Sequence, residues 1–390
     1  MGANPVTNVL RGINIKLAAL IVQFLVSVAF QLMGSFLPLF IETDLNYTLI
    51  DATYWTSVAQ LIASSLFAFT APFWGSMCDR AGIKKITMIV LVANAVVYTG
   101  MSMSTDIAHI LLFRALQGSF GGVSTTMFAL VAAIYVGAEL KQALSYQIAT
   151  MTLGSLVGPG LGGFLASIVG YRLTLLASSL LFVSIIPIMF LTNVPPPSRK
   201  ASEKPRFTSS DFKAIIPDFI SLILVYACIQ FIIPIIPWFL GSLGILDEQL
   251  LLYTTLTTTL SGVAFAIATP LLPRIVTDRK LPLVSLVASG AIFMTAFVTA
   301  PTQFIALRVA VGAIQAGIPP FLLGGRGTAR KGTTMGFLNS ARFLGIAVGP
   351  FIATSILGGG EPFRVIGMFA TMASLSLLAS IVIYFTHKGT

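Results

Sequence analysis

Charge is scarce in this chain. Only 9% of its 390 residues are Asp, Glu, Lys or Arg, and 56% are hydrophobic. A soluble domain carries about 25% charged residues. A water-soluble protein of this length could not hide so much apolar surface, so most of the chain is expected to have lipid as its solvent. The deficit also excludes a disordered chain. Cysteine is nearly absent too. Cys78 lies in a charged stretch that reads as a loop, Cys228 lies in an apolar run, and nothing in their placing pairs them, which excludes a disulfide scaffold. The two histidines, His109 and His387, are not central in any apolar run. No H-E-x-x-H, nucleophile elbow or Walker sequence occurs. Neither an enzyme, a metal site, a cofactor nor a self-contained ATP-driven pump is therefore expected. The formal charge of +10 would suggest nucleic acid in a soluble protein. Here the basic residues flank apolar runs, so they report membrane topology and no nucleic-acid partner is expected.

Twelve apolar runs are present, each long enough to cross ~30 Å of hydrocarbon as a helix. They are numbered spans 1 to 12: Ile15–Ile41, Ala52–Met77, Ile86–Ser104, Ile107–Val136, Ala143–Val169, Leu173–Leu191, Ala214–Gly241, Leu250–Val276, Leu281–Ala300, Thr302–Gly324, Thr333–Leu357 and Phe363–Thr386. Their continuity argues against the alternating strands of a β-barrel. The first is too long for a signal-peptide core and no small-residue cleavage site follows it. With the N-terminus in the cytoplasm, 18 of the 23 basic residues fall on the cytoplasmic side. Only Arg172 and Arg364 fall outside, and Arg114, Arg308 and Arg342 lie within spans. The expectation is a multi-pass protein of a bacterial inner membrane with both termini cytoplasmic. The longest connection holds PPPSRKASEKPR, which reads as a linker. The expected organisation is residues 1–193, a six-helix bundle; 194–213, a cytoplasmic linker; and 214–390, a second six-helix bundle.

The two halves repeat one another. Gln31, Pro38 and Asp79-Arg80 match Gln230, Pro237 and Asp278-Arg279 at an offset of 199. Arg114 and Gly118 match Arg308 and Gly312 at 194. Gly158-Pro159 matches Gly349-Pro350 at 191, and Tyr171-Arg172 matches Phe363-Arg364 at 192. An even number of spans per half makes the repeat parallel, about an axis along the membrane normal. Such bundles can rock about a central site and expose it to each side in turn.

Three motifs carry a resemblance. The stretch after span 2, GSMCDRAGIKK, resembles the G-x-x-x-D-R-x-G-x-K/R-K/R signature of the major facilitator superfamily, at Gly75, Asp79, Arg80, Gly82, Lys84 and Lys85. RALQG in span 4 is similar to the family's R-x-x-Q-G, with Arg114, Gln117 and Gly118. GSLVGPGLGG in span 5 resembles the element of drug/proton antiporters, with Gly154, Gly158, Pro159, Gly162 and Gly163. The resemblance implies an all-α membrane protein with the major facilitator fold, two six-helix bundles related by a pseudo-two-fold. It places a gate at Asp79, whose carboxylate would sit on the start of span 11 near Thr333 and Thr334. Glu139, read at the inner end of span 4, is the expected partner of Arg80, Lys84 and Lys85, although positive-inside placement alone also accounts for the two lysines. The second copy keeps Asp278-Arg279 but not the glycines, and no gating role is assigned to it.

The polar interior suggests the cargo. A central arginine costs roughly 2.5–3.5 kcal/mol on the mildest scale. Arg114, Arg308 and Arg342 are expected to face a cavity with Gln23, Gln31, Tyr226, Gln230 and Asn339. None of the 13 acids sits clearly at mid-membrane. Asp218 lies near the inner end of span 7 and Glu42 near the outer end of span 1, so protons must use one of these two, ride on the cargo, or not be coupled at all. Arginines and amides without an acid favour anionic or neutral cargo. The expectation is a secondary transporter, working as a monomer in the bilayer, that exports a small amphipathic anion by alternating access, with proton coupling left open. Alternatives are a dedicated exporter of a polycarboxylate such as a siderophore, an organic-anion importer, and a receptor or scaffold without transport.

Overall fold

The computed structural model describes residues 14–194, 208–245, 247–324, 331–357 and 363–387. Among the described residues every regular element is helical. Hydrocarbon offers no partner for a backbone N–H or C=O, and a helix satisfies both within itself. Spans 2, 3, 5, 6, 8, 11 and 12 are unbroken α-helices: Leu49–Ala81, Ile83–Ser102, Gly137–Val169, Tyr171–Leu191, Asp247–Ile275, Lys331–Leu357 and Phe363–His387. Span 9 is Leu281–Met294 and ends in a 3-10 turn. Of the expected linker 194–213, residues 195–207 lie outside the described residues.

The remaining four spans are broken, and the breaks fall in repeat-related pairs. Span 1 is Ile15–Gln31, a 3-10 turn, then Leu37–Asp44. Span 7 is Ser209–Phe231, a 3-10 turn, then Ile236–Ser242. Each second piece has a proline at its first or second position, where the missing N–H has no helical partner to lose. Span 4 is Ile107–Ser119 then Val123–Ile134, and span 10 is Pro301–Gln315 then Ile318–Gly324. Glycine makes these second breaks workable. A side chain at Gly121 would overlap the Phe67 ring, and one at Gly317 would meet Leu272 at 2.9 Å.

Two boundaries correct the sequence reading. Span 2 runs on to Ala81, so Asp79 and Arg80 occupy its last helical turn and not a loop. Cys78 is buried there. The turn into span 3 is a single residue, Gly82, at φ 91, a left-handed backbone that favours glycine. Span 5 begins at Gly137, so Glu139 lies in its first turn and not at the end of span 4. A carboxylate suits that position, where free N–H groups leave a partial positive charge.

By its contacts the chain forms two compact units: residues 1–135, 153–207 and 328–340, and residues 136–152, 208–327 and 341–390. The first part of span 5 thus belongs with the second unit, and the first part of span 11 with the first. In the first unit, spans 3 and 6 pack together, as do spans 2 and 4. Phe30 stands edge-on to Phe182 at 5.1 Å in its core. The second unit repeats the scheme with spans 9 and 12, and 8 and 10. Its core centres on Phe239, 4.8 Å from Phe304 and 5.2 Å from Phe369. Large apolar side chains such as Phe69, Phe73, Leu180 and Phe190 face outward, which suits lipid as the surrounding solvent.

Candidate functional site

The first unit joins the end of span 2 to the start of span 11. Oδ1 of Asp79 accepts from the Gly332 N–H at 3.0 Å. Oδ2 accepts from the Thr333 N–H at 2.8 Å and the Thr333 hydroxyl at 2.7 Å. These are free donors of a helix N-terminus, where a negative charge is stabilised. The approach is backbone to backbone. A methyl on Gly75 would collide with the Gly332 carbonyl, and one on Gly336 would meet the Pro72 Cα at 2.8 Å.

The basic residues of that stretch behave differently. The Lys84 ammonium donates to the Phe190 carbonyl at 2.6 Å and the Thr192 carbonyl at 3.1 Å, capping the end of span 6. Its position on those carbonyls replaces the expected pairing with Glu139. Arg80, Lys85 and Glu139 are exposed.

In span 5, Gly154, Gly158 and Gly162 make one stripe against span 1. A methyl on Gly154 would meet the Phe24 carbonyl at 2.7 Å, one on Gly158 the Gln31 Cβ at 2.6 Å, and one on Gly162 the Leu32 backbone at 2.6 Å. Pro159 lies inside the helix, and Gly163 is half-buried. The second unit repeats the stripe in span 11, where Gly345 packs on Ile223 and Tyr226, and Gly349 on Ala227. Gln31 stands exposed at the break of span 1. Gln230, its mate, is half-buried beside the break of span 7. Gln23 is fully buried and donates to the Ser27 and Ser124 hydroxyls at 3.1 and 3.4 Å.

The three arginines within spans are all buried. Arg114 donates to the Gln117 amide oxygen at 2.8 Å and to the Gln60 amide oxygen. Gln117 in turn donates to the Tyr98 hydroxyl at 2.9 Å. Arg114 also donates to the Met33 sulfur at 3.9 Å, so the guanidinium is held by neutral acceptors from spans 1, 2 and 4. Arg308 sits on the buried face of span 10 with Phe304, Val311, Gly312 and Gln315. Arg342, only 4% exposed, donates to the Met151 sulfur at 2.7 Å. Its guanidinium lies 5.9 Å from the Tyr226 ring centre and 4.5 Å from that of Phe343. Aromatic faces and a thioether stabilise such a cation. Asn339 donates to the Thr125 hydroxyl at 2.7 Å within the first unit.

Of the two coupling candidates, Asp218 is buried on span 7 at 1% exposure and Glu42 is half-buried at the second piece of span 1. Asp278, given no role from sequence, holds the Lys141 ammonium with both carboxylate oxygens at 2.6 Å. Lys141 lies near the start of span 5, and neighbouring Gln142 donates to the Pro270 carbonyl at 2.8 Å. The offset of 191 carries Lys141 to Gly332, so this pair stands where the Asp79 contact stands in the other unit. Gln60, Tyr98, Met151 and Lys141 are the participants that sequence reasoning missed. Only Lys141 had a signal, its place at the repeat mate of Gly332.

A model of the Major Facilitator Superfamily matches residues 19–218. The chain is similar to Multidrug resistance protein MdtG of Klebsiella pneumoniae (strain 342), 28% identical over 348 residues that cover 85% of this chain and 84% of that protein. The Salmonella typhi protein of the same name is 27% identical over 348 residues, with 85% and 86% covered. Among solved structures, the human organic anion transporter MFSD10 (TETRAN) matches with a TM-score of 0.70 at 18% sequence identity, covering 95% of this chain and 98% of that one.

Proposed function

Since the chain belongs to the Major Facilitator Superfamily and is thus a multi-pass membrane transporter of small molecules, we propose that its cargo is amphipathic and anionic and that it is exported. The observation that carries this reading is Arg342, a cation buried among Met151, Tyr226 and Phe343. A carboxylate or phosphate would gain a two-pronged contact with its guanidinium, while the rings and the thioether receive the apolar part of the same molecule. Outward direction is supported by the glycine stripe of span 5 and by relatives named multidrug resistance proteins. In this reading the bundles 1–193 and 214–390 rock about the linker 194–213, in a bacterial inner membrane, with both termini cytoplasmic. One chain suffices, since both halves of the repeat are present.

The test uses the protein in proteoliposomes with a carboxylate dye and its neutral ester. Arg342→Ala is expected to abolish transport of the acid, and Arg342→Lys to reduce it roughly tenfold, since lysine keeps the charge but not the fork. Preference for a cationic dye, undiminished in Arg342→Ala, would overturn the anion reading. For coupling we favour Asp218 over Glu42, because its carboxylate is buried within span 7 while that of Glu42 is only half-buried. Asp218→Asn should remove the dependence of transport on an imposed pH gradient, and Glu42→Gln should leave it. A wild type indifferent to the gradient would exclude proton coupling.

A further inference from the structure

Arg308 is 8% exposed, and its Nε is buried with no hydrogen-bond partner. Among the described residues, none hydrogen-bonds the rest of its guanidinium. Its repeat mate Arg114 shows what has been lost. The acceptor Gln117 becomes Val311 at the offset of 194, and Tyr98 becomes Ile292. Gly118 packs against Ala63 and Gly312 against Ser261, which aligns Gln60 with Thr258 at an offset of 198. Threonine has a shorter side chain than glutamine, and among the described residues the Thr258 hydroxyl, which donates to the Thr254 carbonyl at 2.9 Å, makes no hydrogen bond to Arg308. The neighbouring polar group is the Cys228 thiol. It donates to the Met372 carbonyl at 3.6 Å and accepts from Gln315 at 3.2 Å, and a thiol sulfur is only a weak acceptor, which makes no hydrogen bond to Arg308 among the described residues. Asp218 precedes Cys228 by ten residues on one helix, about 15 Å away.

A buried guanidinium without acceptors carries a desolvation cost of several kcal/mol. The second unit therefore keeps a guanidinium on the face between spans 7, 8 and 10, where Val311, Thr258 and Ile232 stand in place of Gln117, Gln60 and Met33, the acceptors of Arg114. We propose that Arg308 is an anion-binding site that takes a small monovalent anion: free chloride, or the carboxylate of the cargo. The chloride form needs no transport and stands apart from the function proposed above. The carboxylate form rests on it and adds a second contact beside Arg342.

The test measures thermal unfolding of the purified full chain in sodium chloride against sodium gluconate at constant ionic strength. For a chloride site, the wild-type Tm is expected to rise by about 2 °C at chloride concentrations tenfold above Kd. Arg308→Gln should abolish the rise. Val311→Gln, which returns an amide to the place of Gln117, should also abolish it by supplying an internal acceptor. If chloride has no effect but both variants raise the half-saturation of a carboxylate dye tenfold and not that of its ester, the anion is the cargo's. If Arg308→Gln fails to fold, Val311→Gln and the wild-type salt series decide alone. A Tm indifferent to chloride, together with an unchanged acid-to-ester ratio in Val311→Gln, overturns the site.

Discussion

Asp79 and Asp278 occupy equivalent places in the two units, and each holds the first turns of a long helix that starts in the other sequence half. Their partners differ in kind. Asp79 meets backbone N–H groups across a glycine-to-glycine approach, and Asp278 meets one lysine side chain. Backbone donors are fixed in place by the helix that carries them. A lysine must be ordered, and in this pair the Asp278 side chain keeps 42% exposure. Salt reaches the second contact far more readily than the first. The repeat has thus conserved a position while separating a rigid contact from an adjustable one. Under the transport reading proposed above, each is a contact whose loss would favour opening of its own unit.

The largest effect is expected at the rigid contact. Asp79→Ala leaves the donors of Gly332 and Thr333 unmet, a loss of about 2–3 kcal/mol, or roughly 30–150-fold in the closed-to-open ratio. Gly75→Ala should match it with the carboxylate intact, because the added methyl collides with backbone. Labelling of a cysteine introduced near the start of span 11 reads both. Unchanged labelling with normal transport would remove the gate. Asp278→Asn should cost about 1 kcal/mol or less, near fivefold in the same ratio, and wild type in about 1 M salt should resemble it. If Asp278→Asn equals Asp79→Ala, the contrast between the two contacts fails. The smallest effect is expected for Gly324→Ala. Its methyl would meet only the Lys141 Cγ, at 2.8 Å, and a flexible stem can move aside.

The sequence made the Asp79 contact legible because the signature surrounds an acid with bases, an arrangement positive-inside placement does not require. It left the Asp278 contact unread, since the missing glycines hid a motif whose partner had changed from backbone to lysine. The spans and the repeat were legible from apolar length and fixed offsets. The breaks in spans 1, 4, 7 and 10 were not, because hydropathy runs through them unchanged. Pro38 and Pro237 sit at those breaks, but proline alone does not separate a kink from a stop. Gln60 carried no signal at all. One amide in an apolar helix looks the same whether it clamps Arg114 or a neighbouring backbone.

Spans 3 and 6 are tied at both ends. At one end the Lys84 ammonium rests on the last carbonyls of span 6. At the other, Arg172 donates to Asp44 at 2.9 Å and to the Ser102 and Ser104 carbonyls at 3.0 and 2.9 Å, over the Phe40 ring. Ties at two points oppose both sliding and splaying, as the fixings of a beam do. Strain applied to the first unit then has to be absorbed elsewhere, and its joints are the interrupted spans 1 and 4. The glycines of span 5 lie directly against one of those joints, at Gln31 and Leu32.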